Sequence, residues 1–133
     1  MDESKQPGIN FNTVFLKEIN FTRKTEVNSN QLNIDFNFNT SISEDKKQLV
    51  CELSCDVSDK NEVFALHCSM IGIFSTMEGS ENMELESFAK YNAPAIIMPY
   101  IRELVTTTTI RAGLNPITFP PINIISFLKD KNT

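Results

Sequence analysis

The chain has 133 residues, room for one domain rather than two, and its 41% hydrophobic and 22% charged residues match a globular protein. Twelve Lys and Arg against seventeen Asp and Glu leave a net charge of −5, which argues against a nucleic-acid partner, because that affinity comes largely from cations neutralising phosphates. No stretch approaches the roughly eighteen apolar residues of a membrane-spanning helix, and the acidic start Met1-Asp2-Glu3-Ser4 lacks the basic and apolar regions of a secretory signal, so a cytoplasmic protein with no membrane insertion is expected.

Residues 1–8 are polar and contain Pro7-Gly8, which reads as a loose end of a single domain spanning 1–133. Four stretches with period-two alternation follow, the mark of half-buried strands. Phe11 to Thr22 is apolar on both faces, with Phe11, Phe15, Ile19 and Phe21 on one side and Val14 and Leu16 on the other. Such a strand expects cover on both sides. Leu32, Ile34, Phe36 and Phe38 alternate cleanly with Asn33, Asp35, Asn37 and Asn39. Leu49, Cys51, Leu53, Cys55 and Val57 alternate with Glu52, Ser54 and Asp56. Glu62 to Thr76 carries Phe64, Leu66, Cys68, Met70 and Phe74 in register, with Ile71 and Ile73 opposite. The joints Ser43-Glu44-Asp45-Lys46-Lys47 and Ser58-Asp59-Lys60-Asn61 are polar turn sequences, so strands two to four are expected to be antiparallel neighbours.

The period then changes. Glu84 to Tyr91 reads as a short helix. Ile97, Ile101, Leu104 and Thr108 share one helical face, with Pro99 near the start and Gly113 as a stop. Thr106 to Thr109 is a β-branched run with poor helix propensity. Asn115 to Pro121 holds three prolines and reads as stiff and extended. Ile122 to Lys129 reads as a last short helix.

Catalytic chemistry finds little support in these residues. The single histidine, His67, excludes a zinc site built on two imidazoles. Cys51 and Cys55 on one strand face are about 13 Å apart at roughly 3.3 Å per residue, too far to share a metal held near 2.3 Å from each sulfur. The three cysteines read as reduced, small core side chains. His67 and Cys68 are adjacent on a strand and point to opposite faces, which does not make a nucleophile pair. The four glycines are scattered and form no phosphate cradle. No metal and no cofactor is expected, and the chain does not read as an enzyme. What remains is apolar surface: ten phenylalanines and only one long helix to cover the strands. Such surface is used by self-assembly or by a client.

The second half carries a resemblance. Asn92-Ala93-Pro94-Ala95-Ile96-Ile97-Met98-Pro99-Tyr100-Ile101-Arg102-Glu103 resembles the start of the long helix of the SecB family of export chaperones, with its Pro-Tyr-x-Arg-Glu signature. Arg111 to Asn123 resembles the stretch that follows that helix, Gly72-Ile73-Phe74 resembles the close of the family's fourth strand, and Lys17 to Phe21 resembles its first strand. The likeness covers roughly residues 11–125. It implies an α+β fold: a four-stranded antiparallel sheet with a long helix and a short C-terminal helix, assembling as a dimer of dimers. It implies an ATP-independent holdase that binds unfolded or precursor polypeptides in long apolar grooves.

Carried over by position, the groove residues are Leu32, Ile34, Phe36 and Phe38, with Ile124, Phe127 and Leu128. The implied oligomer interface is Phe15 and Ile19 between first strands, and Ile97, Ile101, Leu104 and Thr108 between helices of a homotetramer. Glu18 is the match for an acidic contact to the translocase motor SecA. Thr22 and His67 stand where further acidic contacts are expected, and the family's motor-binding tail after the last helix has no match. Those departures weigh against docking to the motor, which leaves a general holdase or, as the alternative, a chaperone dedicated to an antitoxin in a toxin–antitoxin system. A third reading, of another class, is an oligomeric scaffold that binds no client.

Overall fold

The computed structural model describes residues 8–76, 85–115 and 117. Four strands come first: β1 (Ile9–Arg23), β2 (Leu32–Ile42), β3 (Gln48–Asp59) and β4 (Phe64–Thr76). Two helices follow, α1 (Leu85–Tyr91) and α2 (Ala93–Arg111). The strands form one antiparallel sheet in the order β1-β4-β3-β2, so β1 and β2 are the edges although they are consecutive in the chain. The expected α+β architecture is the observed one. The short helix expected over Ile122 to Lys129 lies outside the described residues.

Two turns close the central hairpins. Asp45 accepts hydrogen bonds from Ser43 Oγ and Lys47 N, which shapes the β2–β3 turn around the left-handed Lys46. Asp59 does more. Its carboxylate is buried and accepts from the backbone N–H groups of Ser29, Val63 and Phe64 at 2.7–3.0 Å, tying the β1–β2 connection to the β3–β4 turn.

The core lies between one face of the sheet and the two helices. Leu49, Cys51, Leu53, Cys55 and Val57 of β3 and Phe64, Leu66, Cys68 and Phe74 of β4 point into it, as the period-two pattern predicts. α2 lies over β3 and β4 and buries Ile97, Met98, Ile101, Val105 and Thr109. Gly72 permits that approach: a Cβ there would stand 2.8 Å from Ile97 Cδ1. α2 ends in a Schellman turn, with Leu114 N–H bonded to Thr109 O, Gly113 N–H to Ile110 O, and Gly113 at φ +73°. Arg23 reaches across from β1 to donate to the Ala112 carbonyl at 2.7 Å, which pins that end of the helix.

Candidate functional site

The first strand does not keep one alternation along its length. Its register against β4 skips Asn12 and Lys17, a bulge at each position. Directly paired residues share a face, so each bulge reverses the phase of the strand. Phe11, Val14, Leu16, Ile19 and Phe21 consequently pair with Phe74, Gly72, Met70, Cys68 and Leu66 on the helix side. Phe15 pairs with Ile71 on the opposite face. The expected grouping of Phe15 with Phe11, Ile19 and Phe21 is thus corrected, and Phe15 and Ile19 lie on opposite faces. Phe11, Phe15, Leu16 and Ile19 remain 40–46% exposed on an edge strand. Phe11 also stacks on Phe74 and meets Tyr100 edge-on, extending the core to the surface.

On the other edge, Leu32, Ile34, Phe36 and Phe38 pair with Asp59, Val57, Cys55 and Leu53, which puts them on the helix side. Their fates differ. Phe36 is 1% exposed and belongs to the core, whereas Leu32, Ile34 and Phe38 are half-buried at its margin. Of the expected groove set, Phe36 is therefore corrected to a core side chain. Ile124, Phe127 and Leu128 lie outside the described residues.

The face expected between helices also divides. Ile97 and Ile101 are 0% exposed, packed on the sheet of their own chain, so they have no surface to offer a second copy. Leu104 and Thr108, half-buried, keep some. The inward stripe is Ile97, Ile101, Val105 and Thr109, a strict four-residue repeat. Beside it lie groups that periodicity does not single out. Thr106 Oγ1 donates to Ile117 O at 2.8 Å, and Ile117 N–H donates to Thr109 Oγ1 at 3.4 Å. Arg102 Nε is buried without a hydrogen-bond partner. The one signal for them in the sequence is a run of hydroxyls in a helix where propensity disfavours them.

The sheet face away from the helices is polar around His67. Its Nδ1 is 2.8 Å from Asp56 Oδ1 and its Nε2 is 3.5 Å from Glu18 Oε1. Asn20, Thr22, Ser58 and His67 help line a shallow cleft of about 440 Å³ beside them. Glu18 is exposed and faces solvent next to this cleft. Further along, Lys17 Nζ pairs with Glu52 Oε1 at 2.8 Å. That bond raises the Lys17 ammonium above its ordinary pKa, through the hydrogen bond and the charge of Glu52.

The three thiols are buried and free. Burial pushes Cys51 up to about 12 and Cys68 up to about 11, and it raises Cys55 as well. Among the described residues no three His, Cys, Asp or Glu side chains converge as metal ligands, and no helix is long and apolar enough to cross a membrane.

Known proteins are similar to this chain. A family model described as preprotein translocase subunit SecB matches residues 2–132. A protein-export protein SecB from Azoarcus sp. is 26% identical over 135 residues, covering 92% of this chain and 87% of that protein. An uncharacterised protein of Methanocaldococcus jannaschii is 25% identical over 148 residues, covering all of this chain and 94% of that one. Among solved structures, a SecB-like chaperone of Mycobacterium tuberculosis in complex with a ChAD peptide from the HigA1 antitoxin superposes with a TM-score of 0.68. It is 21% identical, and the match covers 86% of this chain and 90% of that one.

Proposed function

The chain belongs to the SecB family, and from that premise we propose that it is an ATP-independent holdase chaperone of the cytoplasm, binding unfolded polypeptides along apolar grooves. The observation that carries this reading is apolar surface left without cover in the protomer. β1 exposes Phe11, Phe15, Leu16 and Ile19, and β2 leaves Leu32, Ile34 and Phe38 half-buried at the core margin. An unfolded client offers dispersed apolar side chains, each contributing ~1.5–3 kcal/mol when fully buried. Ordering the client offsets much of that gain. Useful affinity therefore needs several apolar sites in series, and a multi-copy assembly supplies them.

The two sets serve different partners. β1 is an open edge whose backbone groups are a template for a second strand. Pairing of two β1 edges, with Phe15 and Ile19 in the contact, makes the dimer. Leu104 and Thr108 contribute to the pairing of dimers into a homotetramer. The β2 margin, together with the positions Ile124, Phe127 and Leu128, is the client groove. Glu18, on the polar sheet face, is the contact for a translocase motor in an export role.

A second reading, a chaperone dedicated to one antitoxin, is supported by the antitoxin-derived peptide in the complex of the Mycobacterium tuberculosis relative. Thr22 and His67, where acidic side chains are expected for motor docking, favour it too. Light scattering of a chemically unfolded client diluted into buffer without ATP separates the readings. Suppression of aggregation near one tetramer per client supports the general holdase. No suppression of general clients, with suppression of an antitoxin, supports the dedicated chaperone. No suppression of either refutes both and leaves the scaffold.

A further inference from the structure

Histidine is the side-chain type that ordinarily changes charge between pH 5 and 8, and the single one in this chain stands between two carboxylates. His67 lies mid-strand in β4, where it pairs with Asn20 of β1 and Asp56 of β3. Asp56 Oδ1 is 2.8 Å from the ring Nδ1. An ionised carboxylate has no hydrogen to give, so the ring donates. In the neutral imidazole that N–H is the only one, and Nε2 is a bare lone pair. What Nε2 faces is Glu18 Oε1, at 3.5 Å. Two acceptors set against each other do not bond, and the unequal distances match that: one contact is closed and the other open.

The bulge at Lys17 brings Glu18 to this place. It returns Glu18 to the polar face, paired with Ser69 and so diagonal to His67. Lys17 itself is turned to Glu52 of β3, at 2.8 Å. Asp35 of β2 stands opposite Asp56, one strand further from the ring. The charged groups that face the imidazole directly are therefore Asp56 and Glu18, both exposed to solvent.

We infer that His67 is a proton-operated latch on Glu18: the imidazolium closes an Nε2–H bond to the Glu18 carboxylate and withdraws it, and the neutral ring releases it to a cationic side chain of a partner. The inference rests on the reading of Glu18 as a partner contact and adds how that contact is regulated. Asp56 is the fixed end of the latch, bonded to the ring in both states and aiming Nε2 at β1. With the ring neutral, the face presents two carboxylates and no cation between them. Protonation places a cation between the two and engages both. A cationic partner then meets a weaker negative potential and a carboxylate already taken, so docking weakens as pH falls. Ion pairs this exposed add little to stability; their effect is on which groups the face presents.

The test measures binding of a fluorescent oligolysine peptide to the full chain by anisotropy at low ionic strength, where charge contacts are least screened. The peptide has no apolar side chain, so it reports on charge and not on the apolar margin of β2. Wild-type affinity is expected to fall about two- to fivefold between pH 8 and about pH 5.5, the loss of one exposed charge pair. His67→Gln, neutral at every pH, is expected to abolish that fall. Glu18→Gln is expected to weaken binding at pH 8 by a similar factor. In carbon NMR spectra the Glu18 Cδ resonance is expected to shift with the same midpoint as the His67 ring carbons, and to lose that step in His67→Gln. An equal pH dependence in wild type and His67→Gln, or a Glu18 Cδ resonance that ignores the ring, overturns the latch while Glu18 stands as a contact. Glu18→Gln that binds as tightly as wild type at pH 8 overturns the contact and the latch with it.

Discussion

Gly72 and Ile97 fix the distance between β4 and α2, and a double-mutant cycle measures how strongly. A Cβ at position 72 would lie 2.8 Å from Ile97 Cδ1, 3.1 Å from Ile97 Cγ1 and 3.2 Å from Phe74 Cε2. Ordinary carbon contacts fall near 3.5–4.0 Å, so the first is short by roughly 0.7 Å or more. Ile97 is fully buried and has nowhere to swing without meeting another core side chain. Overpacking of this kind costs about 1–3 kcal/mol. Replacing a strand glycine returns about 0.5–1 kcal/mol of backbone entropy. Gly72→Ala is therefore expected to destabilise by about 0.5–2 kcal/mol.

Ile97→Val removes Cδ1, the atom of closest approach, and by itself costs about 0.5–1.5 kcal/mol. In that background the added Cβ fills the space the methyl leaves. Gly72→Ala is then expected to be neutral or slightly stabilising, a change of sign between backgrounds. Urea unfolding followed by circular dichroism reads this out, with chain concentration held fixed because any self-association would add to apparent stability. With a slope of about 1–3 kcal/mol per molar urea, the single change is a shift of several tenths molar in the midpoint. Additivity of the two substitutions within about 0.5 kcal/mol would refute the close approach of α2 to Gly72.

Four other outcomes are expected. Phe36→Ala destabilises by about 3–5 kcal/mol, as truncation of a buried Phe does, while Phe38→Asp at the core margin leaves the fold intact and abolishes client binding in the aggregation assay. Gly113→Ala costs about 1–2 kcal/mol in the same urea titration, because the residue holds the left-handed conformation that a Cβ penalises. For Asp59, burial raises the carboxyl's pKa and the N–H donors of Ser29, Phe64 and Val63 more than offset that, leaving it below its ordinary value. A carboxylate lowered in the folded state contributes stability that is present above the unfolded pKa of about 3.9 and is lost as pH falls through the folded value. Asp59→Asn is therefore expected to lower stability at pH 7 and to flatten the acid limb of the stability–pH curve, and an unchanged acid limb would contradict the three-donor arrangement. The thiols of Cys51, Cys55 and Cys68 are expected to react with iodoacetamide at pH 8 only after denaturation, because a pKa near 11 leaves about one part in a thousand as reactive thiolate. A thiol that alkylates at the rate of free cysteine in the native protein would show that the sheet–helix layer opens readily.

Much of the fold was legible because most strands bury one face. β3 sets its odd residues inward without interruption, and a strand that does so announces itself by period two. The division of the apolar residues between core and surface was not legible in the same way. Phe36 and Phe38 both sit between polar residues and share one face, yet one is sealed and the other half-open. That difference comes from what lies above each of them, and no local pattern encodes it. A helical stripe through Ile97 and Ile101 likewise says that one face is apolar; it does not say whether the face meets the chain's own sheet or a second copy. Gly72 is the residue that decides, since it lets the stripe down onto β4. The threonine run points the same way: propensity marks Thr106 and Thr109 as misplaced, and only the position of Ile117 supplies the reason.

β1 shows how a hidden irregularity divides apolar and polar residues between the two faces of a strand. In a regular strand the odd residues Phe11, Phe15, Ile19 and Phe21 would share one face and Val14 and Leu16 the other. The bulge at Asn12 reverses the phase, and the bulge at Lys17 reverses it back. Between them, Val14 and Leu16 turn to the helix side while Phe15 turns away. Five apolar side chains thereby collect on the side where α2, lying over β3 and β4, leaves β1 largely uncovered. The second bulge also lifts Lys17 out of the ladder towards Glu52 and returns Glu18 to the polar face beside His67. Neither bulge is marked by a glycine, so the alternation of residue types gives no warning of it. The strand that sequence reads as needing cover on both sides is instead one with a partly exposed apolar side and a mostly polar side, and two inserted residues make the difference.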